Sequence, residues 1–310
     1  MARLLTAVWP EQPASAAWLE RVDADREPGD QIHREIVATP DAPDEWLGLA
    51  ESGPHRWSTD PGRFELHVHV HPDHRRRGIG ARLYDRAVMF AAGSARVLEA
   101  STREDRADAL RFLDRRGFRL LDRSPVSELD LEQFDPARWA GVIERSESAG
   151  VRLITLDELV EVGRGRLREL WELEREVQPD APNQGDTDLP SFERWRRAYE
   201  HNPDLRPEGH VIAVDGDRLV GMTQLWASQA TDAILYTGFT GVRRRHRRAG
   251  LATALKARAL SWASTLETVT GRRPVVRTSN EETNPMLAIN RRLGFEPRPA
   301  VIRFELRMGH

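Results

Sequence analysis

Val70-His-Pro-Asp-His-Arg75-Arg-Arg-Gly78-Ile-Gly80 and Val242-Arg-Arg-Arg-His-Arg247-Arg-Ala-Gly250-Leu-Ala252 are one pattern written twice. Each runs from Val five steps to Arg, three more to Gly, and two more to Gly or Ala. The offset is 172 residues, the distance from Val70 to Val242. Downstream, Ile79, Leu83, Ala87 and Phe90 answer Leu251, Leu255, Ala259 and Trp262 at the same offset. Both sets repeat at the spacing of one helix face. Farther on, Arg115-Arg-Gly117-Phe118 answers Arg292-Leu-Gly294-Phe295. In both, the Gly closes a helical stretch as a C-terminal cap does. A matched series of this length reads as an internal repeat, and a repeat sets the fold.

Upstream of each loop lies a strand. Phe64, Leu66, Val68 and Val70 alternate with Glu65, His67 and His69, the period of a half-buried strand. Ile234 to Val242 is its second copy, interrupted by Gly238 and Gly241. A hairpin precedes that copy, with Asp215-Gly216-Asp217 as its turn. Ile32 to Thr39 and Trp46 to Ala50 form a weaker N-terminal equivalent. The second copy opens with a strand, Val151 to Thr155, that has no counterpart before the helix near Ser15 to Val22. The expected organisation is α/β: a first domain over 1–135 that lacks its first strand, a linker over 136–150, and a second domain over 151–310.

Strand, Gly- and Arg-rich loop, then helix makes an anion site. The first helical turn leaves amides unpaired and carries partial positive charge. Glycines let phosphate approach the backbone, and arginines add charge-assisted hydrogen bonds. A pyrophosphate fits this chemistry. The segments expected to hold it are Val70 with Arg75, Arg76, Arg77, Gly78, Ile79, Gly80 and Ala81, and Val242 with Arg247, Arg248, Ala249, Gly250, Leu251, Ala252 and Thr253. Neither is a P-loop, since no Gly-Lys-Ser/Thr follows.

Composition narrows the function further. Without cysteine there is no disulfide, thiolate metal site or cysteine nucleophile. The net charge of −3 argues against nucleic acid as the partner, and the arginine runs reflect a strong bias, Lys256 being the only lysine among 46 basic residues. No apolar run reaches membrane-spanning length and Met1 to Pro10 does not read as a signal peptide, so the expected location is cytoplasmic. His67, His69 and His71 share a strand face with Glu65, which reads as the polar side of that strand, and no metal is expected.

The two loops resemble the acetyl-CoA loop of the GCN5-related N-acetyltransferases, Gln/Arg-x-x-Gly-x-Gly/Ala. Arg75, Gly78 and Gly80 match it, as do Arg247, Gly250 and Ala252. The segment Thr278 to Phe295, Thr237 to Val242 and Asp180-Ala-Pro182 are similar to tandem actinobacterial members. The resemblance implies two domains, each a mixed, mostly antiparallel sheet flanked by helices, with a splayed central parallel pair that admits the pantetheine arm of acetyl-CoA. It also implies direct attack of an amine on the thioester, with Asn284 near the cofactor. The family's usual acid, a Tyr four residues before the Gly-Phe glycine, is replaced by Leu113 and Asn290. The second copy is therefore expected to be the active one, with Asn290 and Tyr236 as candidate catalytic residues. Glu172, Glu174 and Asp180 read as solvated helix-face charges near the acceptor pocket. The acceptor is expected to be a primary amine of a small molecule or peptide, on a monomer or homodimer. Two alternatives stay open: a catalytically silent acyl-CoA sensor, and a mycothiol-synthase-like acetyltransferase.

Overall fold

The alternating run 63–70 folds as a strand that feeds the Gly-rich turn, and the same succession recurs 172 residues later. The computed structural model describes residues 1–310 apart from 25, 27, 28, 30, 56, 57, 59, 164, 181–188, 281, 309 and 310. In chain order the first elements are α1 (Ala2–Val8), α2 (Ala16–Ala24), β1 (His33–Thr39), β2 (Ala42–Pro54), β3 (Arg63–Val70), α3 (Ile79–Ala91), β4 (Val97–Arg103), α4 (Ala107–Asp114) and β5 (Arg119–Asp130). Then follow α5 (Ala140–Ser148), β6 (Val151–Thr155), α6 (Leu156–Val162), α7 (Arg166–Val177), α8 (Phe192–Glu200), β7 (Val211–Asp215), β8 (Arg218–Ala227) and β9 (Ile234–Val242). The last are α9 (Leu251–Ala263), β10 (Val275–Ser279), α10 (Met286–Leu293) and β11 (Glu296–Arg307).

Contacts divide the chain into two units, Met1–Arg123 with Pro299–His310, and Ser124–Arg298. In the first, β1, β2 and β3 are antiparallel neighbours and β3 runs parallel to β4. The far side of β4 is taken by β11, antiparallel from Val301 opposite Arg103 to Arg307 opposite Val97. Phe64, Leu66, Leu83, Leu98, Leu113 and Phe118 form this unit's core, with Phe304 and Leu306 of β11 packed on it. In the second unit β6, β7, β8 and β9 are antiparallel neighbours and β9 runs parallel to β10. Its β10 is flanked by β5, from Val275 opposite Asp130 to Ser279 opposite Val126. Each unit is thus completed by a strand that the sequence places in the other repeat.

This division differs from the expected boundary at 135. Alternation fixes which residues of a strand face inward, but not which neighbour the strand joins. The stretch expected as a linker also has a core role. Pro136–Trp139 forms a 3-10 turn and α5 follows it. Trp139, Val142 and Ile143 lie against the second unit's core. That cover explains why α9 is buried on nearly every side, including Thr253 and Lys256. A helix apolar all round needs neighbours all round. Helix α1, which periodicity did not reveal, sets Leu4 and Val8 against Leu49. Among the described residues no helix is long and apolar enough to cross a membrane.

Candidate active site

The two Arg-Gly loops have one backbone. After β3, Arg75 has φ −65°, ψ 161°, and Gly78 φ 80°, ψ −8°. After β9, Arg247 has φ −73°, ψ 162°, and Gly250 φ 81°, ψ 0°. Between them, Arg76 and Arg248 sit in the left-handed region at φ 63° and 66°. Among the described residues they are the only non-glycine residues with positive φ. Such backbone costs about 1 kcal/mol or more at a non-glycine residue. Its recurrence at equivalent positions shows one turn used twice, of a type that can gather amides around an anion. In α9 the Ala254 amide is the first to bond within the helix, to the Gly250 carbonyl at 3.0 Å. The amides ahead of it are the free donors of the first turn.

The arginine five residues beyond each strand end is a staple. Arg247 Nε donates to the Val242 carbonyl at 2.8 Å, and Arg75 Nε to the Val70 carbonyl at 3.3 Å. In the second loop Asp180 adds a further tie, accepting from Arg247 and Arg244 at 2.5 Å each. Hydrogen bonds from Arg244 and then Arg247 hold the Asp180 carboxyl down to about 2. Asp180, read from sequence as a solvated charge, is thus a loop-fixing residue; positions 181 and 182 of the stretch cited with it lie outside the described residues. Arg76, by contrast, keeps an exposed side chain 3.6 Å from Asp108.

Both central parallel pairs part as expected. β9 pairs with β10 only from Ile234 to Tyr236, and β3 with β4 only from Arg63 to Glu65. The rest of β9 and β3, up to Val242 and Val70, is left without a ladder on that side. Here the two units differ. β3 keeps an unbroken register with β2, from Gly48 opposite Val70 to Pro54 opposite Phe64. β9 slips against β8, with Thr223 opposite Thr240 but Leu225 opposite Thr237. Gly238 and Phe239 therefore face Gln224 alone, a β-bulge. Gln224 pins it: its Oε1 accepts from the Phe239 amide at 3.0 Å and its Nε2 donates to the Tyr199 hydroxyl at 2.6 Å. A Cβ at Gly238 would lie 2.5 Å from Gln224 Oε1.

Asn290 is fully buried on α10. Its Nδ2 donates to Asn280 Oδ1 at 2.8 Å, while its own Oδ1 is buried without a partner among the described residues. An unpaired buried acceptor is costly, so this oxygen is open to a donor from water or from a bound molecule. Leu113, its counterpart in the first unit, is ordinary core. Asn284 Oδ1 accepts from the Met286 amide at 2.9 Å, just ahead of α10. Tyr236 is a poor base: burial raises its pKa above the ordinary 10, so it is protonated at neutral pH.

Glu174 departs most from its sequence reading. It is buried, not solvated, at 8% exposure. Trp195 Nε1 donates to its Oε2 at 3.1 Å, and burial lifts its pKa to about 7. Glu172, two residues earlier, is exposed as expected. His67 and His69 stack at 6.2 Å, and Trp9 Nε1 donates to His69 Nδ1 at 3.4 Å.

Comparison with known proteins accords with this geometry. The family model described as Acetyltransferase (GNAT) family matches the chain twice, at residues 2–118 and 167–294. A GCN5-related N-acetyltransferase from Sphaerobacter thermophilus is similar with a TM-score of 0.70 at 20% identity, covering 100% of this chain and 92% of its own. A tandem GNAT protein from the clavulanic acid biosynthesis pathway is similar with a TM-score of 0.72 at 22% identity, covering 99% and 93%. No relative is found among curated proteins. Two family domains in one chain, each with the loop, the splayed pair and the Gly-Phe helix end, leave one conclusion: the chain belongs to the acetyltransferase (GNAT) family.

Proposed function

We propose that the chain transfers acetyl from acetyl-CoA to a primary amine of a small molecule or peptide, in the second unit. The observation that carries this reading is β9. It combines a free edge, a pinned bulge and a stapled Arg-Gly loop on one strand. The free edge offers main-chain groups to the pantetheine arm, and Arg247 to Thr253 receive the pyrophosphate. Amides at the bulge polarise the thioester carbonyl, where negative charge develops during attack. The first unit has the loop and the free edge but neither a bulge nor a polar residue at Leu113. A cytoplasmic location belongs to the same reading.

Calorimetric titration with acetyl-CoA tests the assignment of the site. Arg247→Ala is expected to weaken binding about 10-fold or more, the scale of a lost hydrogen bond to a charged group. Arg75→Ala is expected to leave it within about 2-fold. The reverse pattern would move the site to the first unit. Thiol release over a panel of primary amines tests turnover. Acetyl-CoA binding without thiol release on any amine favours the silent sensor, which the missing tyrosines make the second reading.

Asn290, its Nδ2 held by Asn280, is placed to orient the thioester at the reacting centre. Asn290→Ala is expected to lower kcat about 10-fold at unchanged acetyl-CoA affinity. Full turnover by that variant removes Asn290 from the reaction.

A further inference from the structure

We propose that Glu174 receives the ammonium group of the acceptor and takes its proton, so that the acceptor is a primary amine carried on an apolar or aromatic body. This rests on the acyl-transfer reading above.

The face of α7 toward the sheet carries Leu167, Leu170, Leu173 and Val177, with Glu174 among them. Among the described residues no cation pairs with this carboxylate, and its hydrogen-bond partner is the neutral indole of Trp195. A buried carboxylate without a counter-charge is expensive, and a bound ammonium supplies one. Aromatic rings surround the position. Trp195 and Tyr199 stack at 4.1 Å, and Tyr199 meets Trp226 edge-on at 5.6 Å. Such rings favour a cation and the apolar body behind it.

The helix also sets the carboxylate beside the reacting strand. Val177 lies so close to Gly241 of β9 that a Cβ there would fall 2.6 Å from it. Glu174 is one turn earlier on the same helix face. Tyr199, from the same cluster, holds Gln224, and Gln224 holds the Phe239 amide of the bulge. Tyr199 and His210 of this cluster carry no charge near neutrality. Burial raises the Tyr199 hydroxyl well above 10 and drives the His210 imidazole down to about 3.

The step balances as follows. The ammonium transfers one proton to the Glu174 carboxylate, which returns it to water. The neutral nitrogen attacks the thioester carbonyl, the C–N bond forms and the C–S bond breaks. The second proton lost by nitrogen ends on the departing sulfur.

Glu174→Gln keeps an oxygen for the Trp195 N–H and is expected to fold. Tyramine and its neutral isostere tyrosol serve as probes, titrated calorimetrically at about pH 8, where the Glu174 carboxyl is ionised and tyramine is charged. Wild type is expected to prefer tyramine about 10-fold, and Glu174→Gln to lose that preference. No preference in wild type, or one retained by the variant, overturns the proposal. With tyramine turned over, kcat/KM of wild type is expected to rise with pH to a plateau above about 7, and the variant to lack this limb. A limb that persists in Glu174→Gln also overturns it. Absence of acetyl-CoA binding or of thiol release in wild type strikes the acyl-transfer reading instead, because amine preference is measured without acetyl-CoA.

Discussion

A chain cut after Phe295 is expected to lose the fold of its first unit, although residues 1–123 remain intact in sequence. β11 supplies the neighbour of β4 over seven register positions and packs Phe304 and Leu306 on the first core. It also brings Arg303 to Asp122, and the Ala300 amide to Glu104 Oε1 at 2.8 Å. Each ladder hydrogen bond contributes about 1 kcal/mol net. Each buried large side chain contributes about 2 kcal/mol. Their combined loss is comparable with the roughly 5–15 kcal/mol that holds a domain folded. Limited proteolysis followed by mass spectrometry is the direct check. The full-length protein should yield a protected fragment spanning β1 to α4, and the truncated chain should not. An unchanged fragment in the truncated chain would show that β11 is dispensable for the first unit.

Gly238→Val is expected to lower kcat/KM about 100-fold while the second unit stays folded, since misplacing a reacting group by about 1 Å has that scale of effect. The side chain cannot fit beside Trp226 and Gln224, so the bulge must open or Gln224 must leave. Either change removes the bond from the Phe239 amide to Gln224 Oε1. Gln224→Ala removes the pin without adding bulk and should fall between wild type and Gly238→Val. The control is Gly93→Ala, at a position with open space around it, which should leave kinetics unchanged. Steady-state rates with acetyl-CoA and an accepted amine decide the matter. Wild-type kcat/KM in Gly238→Val would mean that the bulge has no part in the reaction.

Much of this architecture was legible locally. Spacing from Val70 to Gly80 and from Val242 to Ala252 encodes a strand end, a staple and a helix start within one short stretch. Interactions of short range along the chain leave such traces. The bulge left half a trace: Gly238 was visible, but Gln224, which gives it purpose, lies on the preceding strand with nothing in its surroundings to single it out. Glu174 reads as solvated in the sequence because α7 is dense in charge. Its spacing was informative all the same, since Glu174 stands seven residues after Leu167 and four after Leu170, in the apolar stripe. The partners of β5 and β11 left no trace, because an alternating strand looks alike whichever edge it joins.

That exchange also has a timetable. When the ribosome has made residues 1–123, every element of the first unit but one is present, and β4 has an open edge. At about 5–20 residues per second the missing strand follows roughly 10 to 40 seconds later. During that interval the second repeat can assemble around β5, while the older half waits with unpaired amides and carbonyls of the kind other chains bind. The first part synthesised is therefore the last to close. Its exposed edge during translation is where crowding and chaperones would act.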